Sequence, residues 1–180
     1  MLELTLKTER LVLRPFRLTD GPRIQALVGV WDVAKMLGSV PHPYPNGYAE
    51  QWIARHDGLR AAGRGYPFAV TQDGTLIGSA GVDRRKDRVL ELGYWIGMPY
   101  WGRGLASEAA RAGVDFAFGW LAAPRVVAGF MDENAASAKI LARMGFVAAG
   151  SESRDSKSRC GAVNCNMLVL TQDAWAEKRV

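Results

Sequence analysis

The sequence predicts a mixed α/β (α+β) domain, a central twisted mixed sheet of about seven strands with helices on both faces. Three observations predict it. Apolar runs at 67–72 and 75–82 flank Asp73-Gly74, a two-residue hairpin turn, so the sheet opens as an antiparallel meander. Residues 89–96, 105–121 and 125–131 then read as strand, helix and strand, the order a parallel crossover requires. Finally, the chain has 180 residues with no repeat, low-complexity tract or linker, so 1–180 is expected to be one domain.

In chain order, Leu11-Val12-Leu13-Arg14-Pro15-Phe16 reads as a first strand. Asp20 is placed to cap a helix running through Pro22, Ile24, Leu27 and Val28. Pro41-His42-Pro43-Tyr44-Pro45-Asn46-Gly47 is too proline-rich for helix and leads into a second helix over 48–61. After the hairpin, a polar loop feeds strand 89–96. A helix over 135–143 closes at Gly145, a helix-ending glycine, and strands 146–151 and 162–170 finish the domain. Where strands 89–96 and 125–131 diverge, a cleft can open, and ligands of open α/β sheets favour such places.

Composition narrows the classes. No apolar run approaches the ~20 residues of a membrane span. Lys7, Glu9 and Arg10 interrupt any apolar leader, so a cytoplasmic protein without membrane contact is expected. Cys160 and Cys165 lack the second pair of a zinc site and are expected to be plain thiols, with no metal bound. The net charge is +5, with basic clusters at Arg84-Arg85-Lys86 and from Arg154 to Arg159. Solvated hairpin loops explain them, and attraction to phosphates is the alternative; no specific nucleic-acid partner is implied.

The most informative stretch is Tyr94-Trp95-Ile96-Gly97-Met98-Pro99-Tyr100-Trp101-Gly102-Arg103-Gly104-Leu105-Ala106-Ser107-Glu108-Ala109. It passes from an aromatic strand through a glycine turn into an alanine-rich helix, which aims free backbone N–H groups at whatever sits before the helix. Gly102 and Gly104 leave the backbone bare for an anion. We read the turn as a pyrophosphate cradle. A dinucleotide fingerprint fails because Ser107 stands where its third glycine belongs, and no Lys-Ser/Thr follows to make a P-loop.

Together the motifs resemble the GNAT superfamily of N-acetyltransferases, and more narrowly its Rim-type branch, which acetylates N-termini of ribosomal proteins. The resemblance runs through Thr8-Glu9-Arg10-Leu11-Val12-Leu13-Arg14 with Asp20, and Leu90-Glu91-Leu92-Gly93-Tyr94-Trp95-Ile96. It continues through Trp101 to Ala106, where Trp101 takes the family's Arg/Gln place, and through Asn134-Ala135-Ala136-Ser137 to Phe146. It implies a GNAT-like sheet splayed into a V with acetyl coenzyme A as co-substrate in the gap. It further implies that the backbone of Trp95 and Ile96 pairs with the pantetheine. The turn of Trp101, Gly102, Arg103, Gly104, Leu105 and Ala106 would hold the pyrophosphate, and Asn134 and Ser137 would meet the pantetheine arm. Read without the resemblance, Asn134 is a helix cap, and tight packing is the alternative for the glycines.

The implied reaction joins acetyl to a primary amine by direct attack in a ternary complex. The acceptor could be a protein N-terminus or a small amine. Amines attack as the neutral base, and an α-amine, with pKa about 7.7–8.0, gives up its proton far more readily than lysine at about 10.4. Glu91 is the candidate base, because a carboxylate inside an apolar strand needs a reason; the alternative is a strand-end ion pair with a nearby arginine. Many family members carry a tyrosine acid seven residues after the helix asparagine, but that position here is Leu141. Ser137 is the nearest hydroxyl, as suggested for the Rim-type branch, against a plain cap-adjacent serine. His42 and His56 read as solvated or structural, and Trp31, Trp52 and Tyr44 either shape the acceptor entrance or pack the core. A non-catalytic acyl-coenzyme A-binding regulator is the competing function, and a homodimer is compatible with either.

Overall fold

The computed structural model describes residues 4–85 and 87–178. Eight strands form one sheet: β1 (Leu6–Lys7), β2 (Val12–Arg14), β3 (Gly65–Gln72), β4 (Thr75–Arg84), β5 (Leu90–Ile96), β6 (Arg125–Met131), β7 (Val147–Ser156) and β8 (Gly161–Thr171). Their order is β1-β2-β3-β4-β5-β6-β8-β7. Every neighbouring pair is antiparallel except β5–β6, the parallel pair. The expected hairpin turn is present, with Asp73 (φ 49°) and Gly74 (φ 76°) both left-handed as a two-residue turn of this type demands.

Helices cover both faces. On one lie α1 (Gly21–Val28), α2 (Trp31–Ala34), α3 (Tyr48–Ile53) and α4 (His56–Ala61); on the other lie α5 (Leu105–Gly119), α6 (Ala135–Met144) and α7 (Gln172–Glu177). Alternation along β5 serves both cores. Leu90, Leu92, Tyr94 and Ile96 join the α5 side, whereas Trp95 packs with α1 to α3. The small residues of α5 set its depth. A Cβ on Gly113 would stand 2.9 Å from a methyl of Leu92, so this glycine lets the helix lie close against β5. Phe116 of α5 anchors the same layer, edge-on to Tyr66 and Phe68 at 5.2 Å each.

Several expectations change. Among the described residues the sheet has eight strands against the expected count of about seven, the two-residue edge strand β1 pairing outside a first strand that is shorter than expected. Asp20 does not cap α1: its carboxylate takes a two-pronged bond from Arg14, 2.8 Å on each oxygen, and the Arg17 N–H. The helix over 48–61 is broken into α3 and α4, where Arg55 N–H reaches back only three residues to Trp52 O. The break lets Trp52 and His56 meet edge to face at 4.3 Å. The helix α7 was not anticipated, although Thr171 caps it through Ala174 N–H and Trp175 buries against the core. No helix among the described residues is long and apolar enough to cross a membrane.

Candidate active site

The parallel pair separates early. β5 and β6 are in register at Leu90↔Val126, Glu91↔Val127 and Leu92↔Ala128 and no further, although β5 runs on to Ile96 and β6 to Met131. β4 holds the far side of β5 as far as Ile96, and β8 holds β6 as far as Met131. The sheet is therefore splayed into a V with fixed walls. Gly97 N–H donates to Ile77 O of β4 at 2.8 Å. Bonding direction alternates along an antiparallel strand, so the Ile96 peptide edge turns the other way, into the gap. The Ile96 carbonyl accepts from Trp101 Nε1 at 2.6 Å, which gives the tryptophan in the family's Arg/Gln place a concrete task.

The glycine turn closes the wide end of the gap. Gly102 (φ 73°) and Gly104 (φ 76°) are both left-handed, and Gly104 is the N-cap residue of α5 with no side chain capping the helix. A Cβ built on Gly102 meets nothing within 4 Å, so the turn faces open space. Leu105 is buried in the core and presents only its main chain to the turn. The turn is braced from the N-terminal segment. Glu108, in the first turn of α5, accepts from Thr8 Oγ1, from Arg10 N–H and from Arg10 Nε, and Arg10 Nη1 donates to the carbonyl of Arg103 at 2.9 Å. Bare glycines, an uncapped helix of 15 residues and an adjoining gap fit a diphosphate followed by a slender arm.

Across the gap, Asn134 caps α6: its Oδ1 accepts Ser137 N–H at 3.0 Å. Ser137 is buried, and its hydroxyl lies 2.7 Å from the hydroxyl of Tyr94 on β5. Leu141 is wholly buried in the α5-side core. In the sequence Tyr94 is one of several aromatics of the strand, with no role of its own. Alternation does put it on the α6 side, but only the folded chain shows that it reaches Ser137.

The opposite face of β5 carries charge. Glu91 Oε1 accepts from Arg154 at 2.6 Å and Oε2 from Arg85 at 3.2 Å. The same arginines hold Glu152 of β7, Arg85 at 2.9 Å and 3.1 Å and Arg154 at 2.5 Å. The Arg85 fork holds the Glu152 carboxyl down at about 2, against the penalty of burial and with further help from Arg154. With Asp87 these four line a cavity of about 380 Å³. Of the two readings of Glu91, the geometry is that of the ion pair: both oxygens accept from guanidinium groups. Arg154 lies over β6, where a Cβ on Gly129 would come within 3.4 Å of its guanidinium carbon.

The basic clusters are thus largely paired rather than free for phosphates. Arg85 and Arg154 sit in this network and Arg159 pairs with Glu133; Lys86 lies outside the described residues. The β7–β8 turn walls the face by docking on α2. Lys157 N–H donates to Gly38 O, Ser158 Oγ to Ala34 O and Arg159 Nε to Lys35 O. Trp31 remains 44 % exposed beside this turn and leans on His42, whereas Trp52 packs against Phe16 and His56.

Comparison with known proteins agrees with this arrangement. The acetyltransferase (GNAT) domain profile matches residues 10–147. The uncharacterized N-acetyltransferase p20 of Bacillus licheniformis is 29% identical over 180 residues, covering 96% of this chain and 98% of p20. The ribosomal-protein-S5-alanine acetyltransferase of Vibrio fischeri superposes with a TM-score of 0.79 at 20% identity, over 96% of this chain and 99% of that one. RimJ of Mycobacterium smegmatis, solved with a coenzyme A disulfide, gives 0.77 at 22% identity over 91% and 82%. The split sheet, the bare glycine turn and the domain match agree: the chain belongs to the GNAT family and is an acetyl-coenzyme A-dependent acetyltransferase.

Proposed function

We propose that this enzyme acetylates the α-amino group of a peptide or protein N-terminus, by direct attack on acetyl coenzyme A in the V. The observation that carries the reading is the gap between β5 and β6 beyond Leu92 and Ala128, which opens beside the uncapped N-terminus of α5. In it, the turn from Trp101 to Ala106 would hold the diphosphate. The Ile96 edge, with Trp95 beside it, would pair with the pantetheine amides. The side-chain NH₂ of Asn134, whose oxygen already caps α6, would meet a pantetheine carbonyl.

The amine lone pair attacks the thioester carbon, the C–N bond forms, the C–S bond breaks and sulfur leaves with its electron pair. The attacking nitrogen gives its proton to water. A strand N–H near Ile96 would stabilise the charge on the thioester oxygen, and Ser137 would donate to the departing sulfur.

The ion network favours an α-amine over lysine. Glu91 and Glu152 are both engaged by arginines, an arrangement that suits an amine able to lose its proton to water without their help. An α-amine pKa lies roughly 2.5 units below that of lysine, so its neutral fraction near pH 7 is roughly two- to fourhundredfold larger. The p20 relative is named an N-acetyltransferase, which supports a nitrogen acceptor, and the Vibrio fischeri fold neighbour is named for an alanine of a ribosomal protein, which supports a protein acceptor.

The test is thiol release from acetyl coenzyme A with three probes: peptides beginning with free Ala, Ser or Met, an N-blocked peptide with one internal lysine, and simple alkylamines. Turnover is expected with at least one free-N-terminal peptide and not with the blocked one. Turnover confined to the blocked peptide or the alkylamines would overturn the acceptor assignment.

A further inference from the structure

Tyr94 joins the two walls of the V, and the reaction outlined above leaves it without a task. Its hydroxyl stands 2.7 Å from Ser137 Oγ, a pair 43 residues apart in sequence. A serine hydroxyl has a single proton and two lone pairs. If Ser137 donated to Tyr94, that proton would be turned away from the gap. If Tyr94 donates, the phenol proton is satisfied by Oγ and the serine proton is free to point elsewhere. The backbone around Ser137 is already fixed, since Asn134 Oδ1 holds its N–H at 3.0 Å. The direction of the hydroxyl proton is the one freedom left.

We propose that Tyr94 is a positioning residue: its phenol donates to Ser137 Oγ and thereby aims the serine proton into the V, at the sulfur that leaves. This rests on the role given to Ser137 above. The phenol itself surrenders no proton. Burial, only partly offset by the bond to Ser137, pushes Tyr94 up to about 12. A thiol like that of cysteine titrates near 8.5, so handing the phenol proton to the thiolate would be uphill by over three orders of magnitude. Tyr94 therefore stays protonated, Ser137 supplies a hydrogen bond to the thiolate, and solvent completes the thiol. A donor that is itself hydrogen-bonded is polarised and donates more strongly, which is the gain the phenol brings.

Tyr94→Phe keeps the ring in the core and removes only the hydroxyl. Two measurements test it, with melting curves checking the fold. The first is the ultraviolet titration of the coenzyme A thiol bound to the full chain, which needs no acceptor. The thiol should titrate at higher pH in Tyr94→Phe and in Ser137→Ala than in the parent. The second is the rate with an Ala-initiated peptide. Tyr94→Phe should lower kcat about three- to tenfold, the span of one hydrogen bond, at unchanged KM for acetyl coenzyme A. In a Ser137→Ala background the same change should do nothing. A parent-like titration and rate in Tyr94→Phe, or an equal loss in both backgrounds, would overturn the positioning role alone. If Ser137→Ala moved neither readout, the serine assignment would fall and Tyr94 with it, while acetylation of the peptide would still stand.

Discussion

Replacing Gly104 with valine tests the phosphate cradle with little damage elsewhere. Gly104 holds φ at 76° as the N-cap residue of α5. An L-residue in that region costs roughly 1–2 kcal/mol, with β-branched side chains at the upper end. The new Cβ itself is tolerated, since the only atom within 4 Å is Arg10 Nη2, at 3.4 Å. Arg10 cannot withdraw easily, because it is bonded to the Arg103 carbonyl at 2.9 Å and to Glu108 at 2.7 Å. Strain is therefore relieved by turning the peptide, which swings the first N–H groups of α5 off the diphosphate. The strain falls on stability, and losing one charge-assisted bond costs roughly 1.5–3 kcal/mol of binding. That corresponds to a coenzyme A Kd raised by roughly ten- to a hundredfold. Calorimetric titration with coenzyme A reads it directly. Gly150 supplies the control: φ is 100° and a Cβ there meets nothing within 4 Å, in the irregular part of β7. Gly150→Val should carry a similar backbone strain, lowering Tm by roughly 2–8 °C, and leave coenzyme A affinity alone. Undiminished affinity in Gly104→Val, or an equal loss in Gly150→Val, would refute the cradle.

Three further outcomes are expected. Burial, with Arg60 and Arg55 nearby, lowers His56 from 6.5 to about 4, so below pH 6.5 the unfolded chain binds a proton that the folded chain refuses. Stability should be full above 6.5 and fall by roughly 3 kcal/mol as pH drops to 4, and His56→Phe should flatten that slope in urea melts; an unchanged slope refutes the assignment. Burial would raise Glu108, but the Thr8 hydroxyl, the Arg10 N–H and the Arg10 guanidinium outweigh it and lower it overall. Its stabilising share is therefore complete above about pH 4.5 and lost as pH falls through the depressed value, so Glu108→Gln should destabilise the chain at pH 7 more than in strong acid. Glu91→Gln should lower Tm, because an amide offers one oxygen where Arg85 and Arg154 use two, without moving the acid limb of the pH–rate profile. A profile that lost its acid limb would return Glu91 to the role of base.

The apolar run at 67–72, the Asp73-Gly74 turn, the glycine turn before α5 and Gly145 after α6 were legible in the sequence, because each is set by residues within a few positions. The family followed from the same local signals. What the linear chain concealed is held by long-range partners. Glu91 meets Arg154 across 63 residues, Arg10 reaches Glu108 across 98, and Tyr94 finds Ser137 across 43. Such pairs depend on sheet register and helix placement, and a shift of one residue along β5 would send Tyr94 to the charged face and Glu91 into the core. Local chemistry therefore dictated the elements and the bare glycine turn, whereas only the packed sheet decided which side chains share a face. That is why the glutamate is tied up by arginines and a tyrosine stands beside the serine.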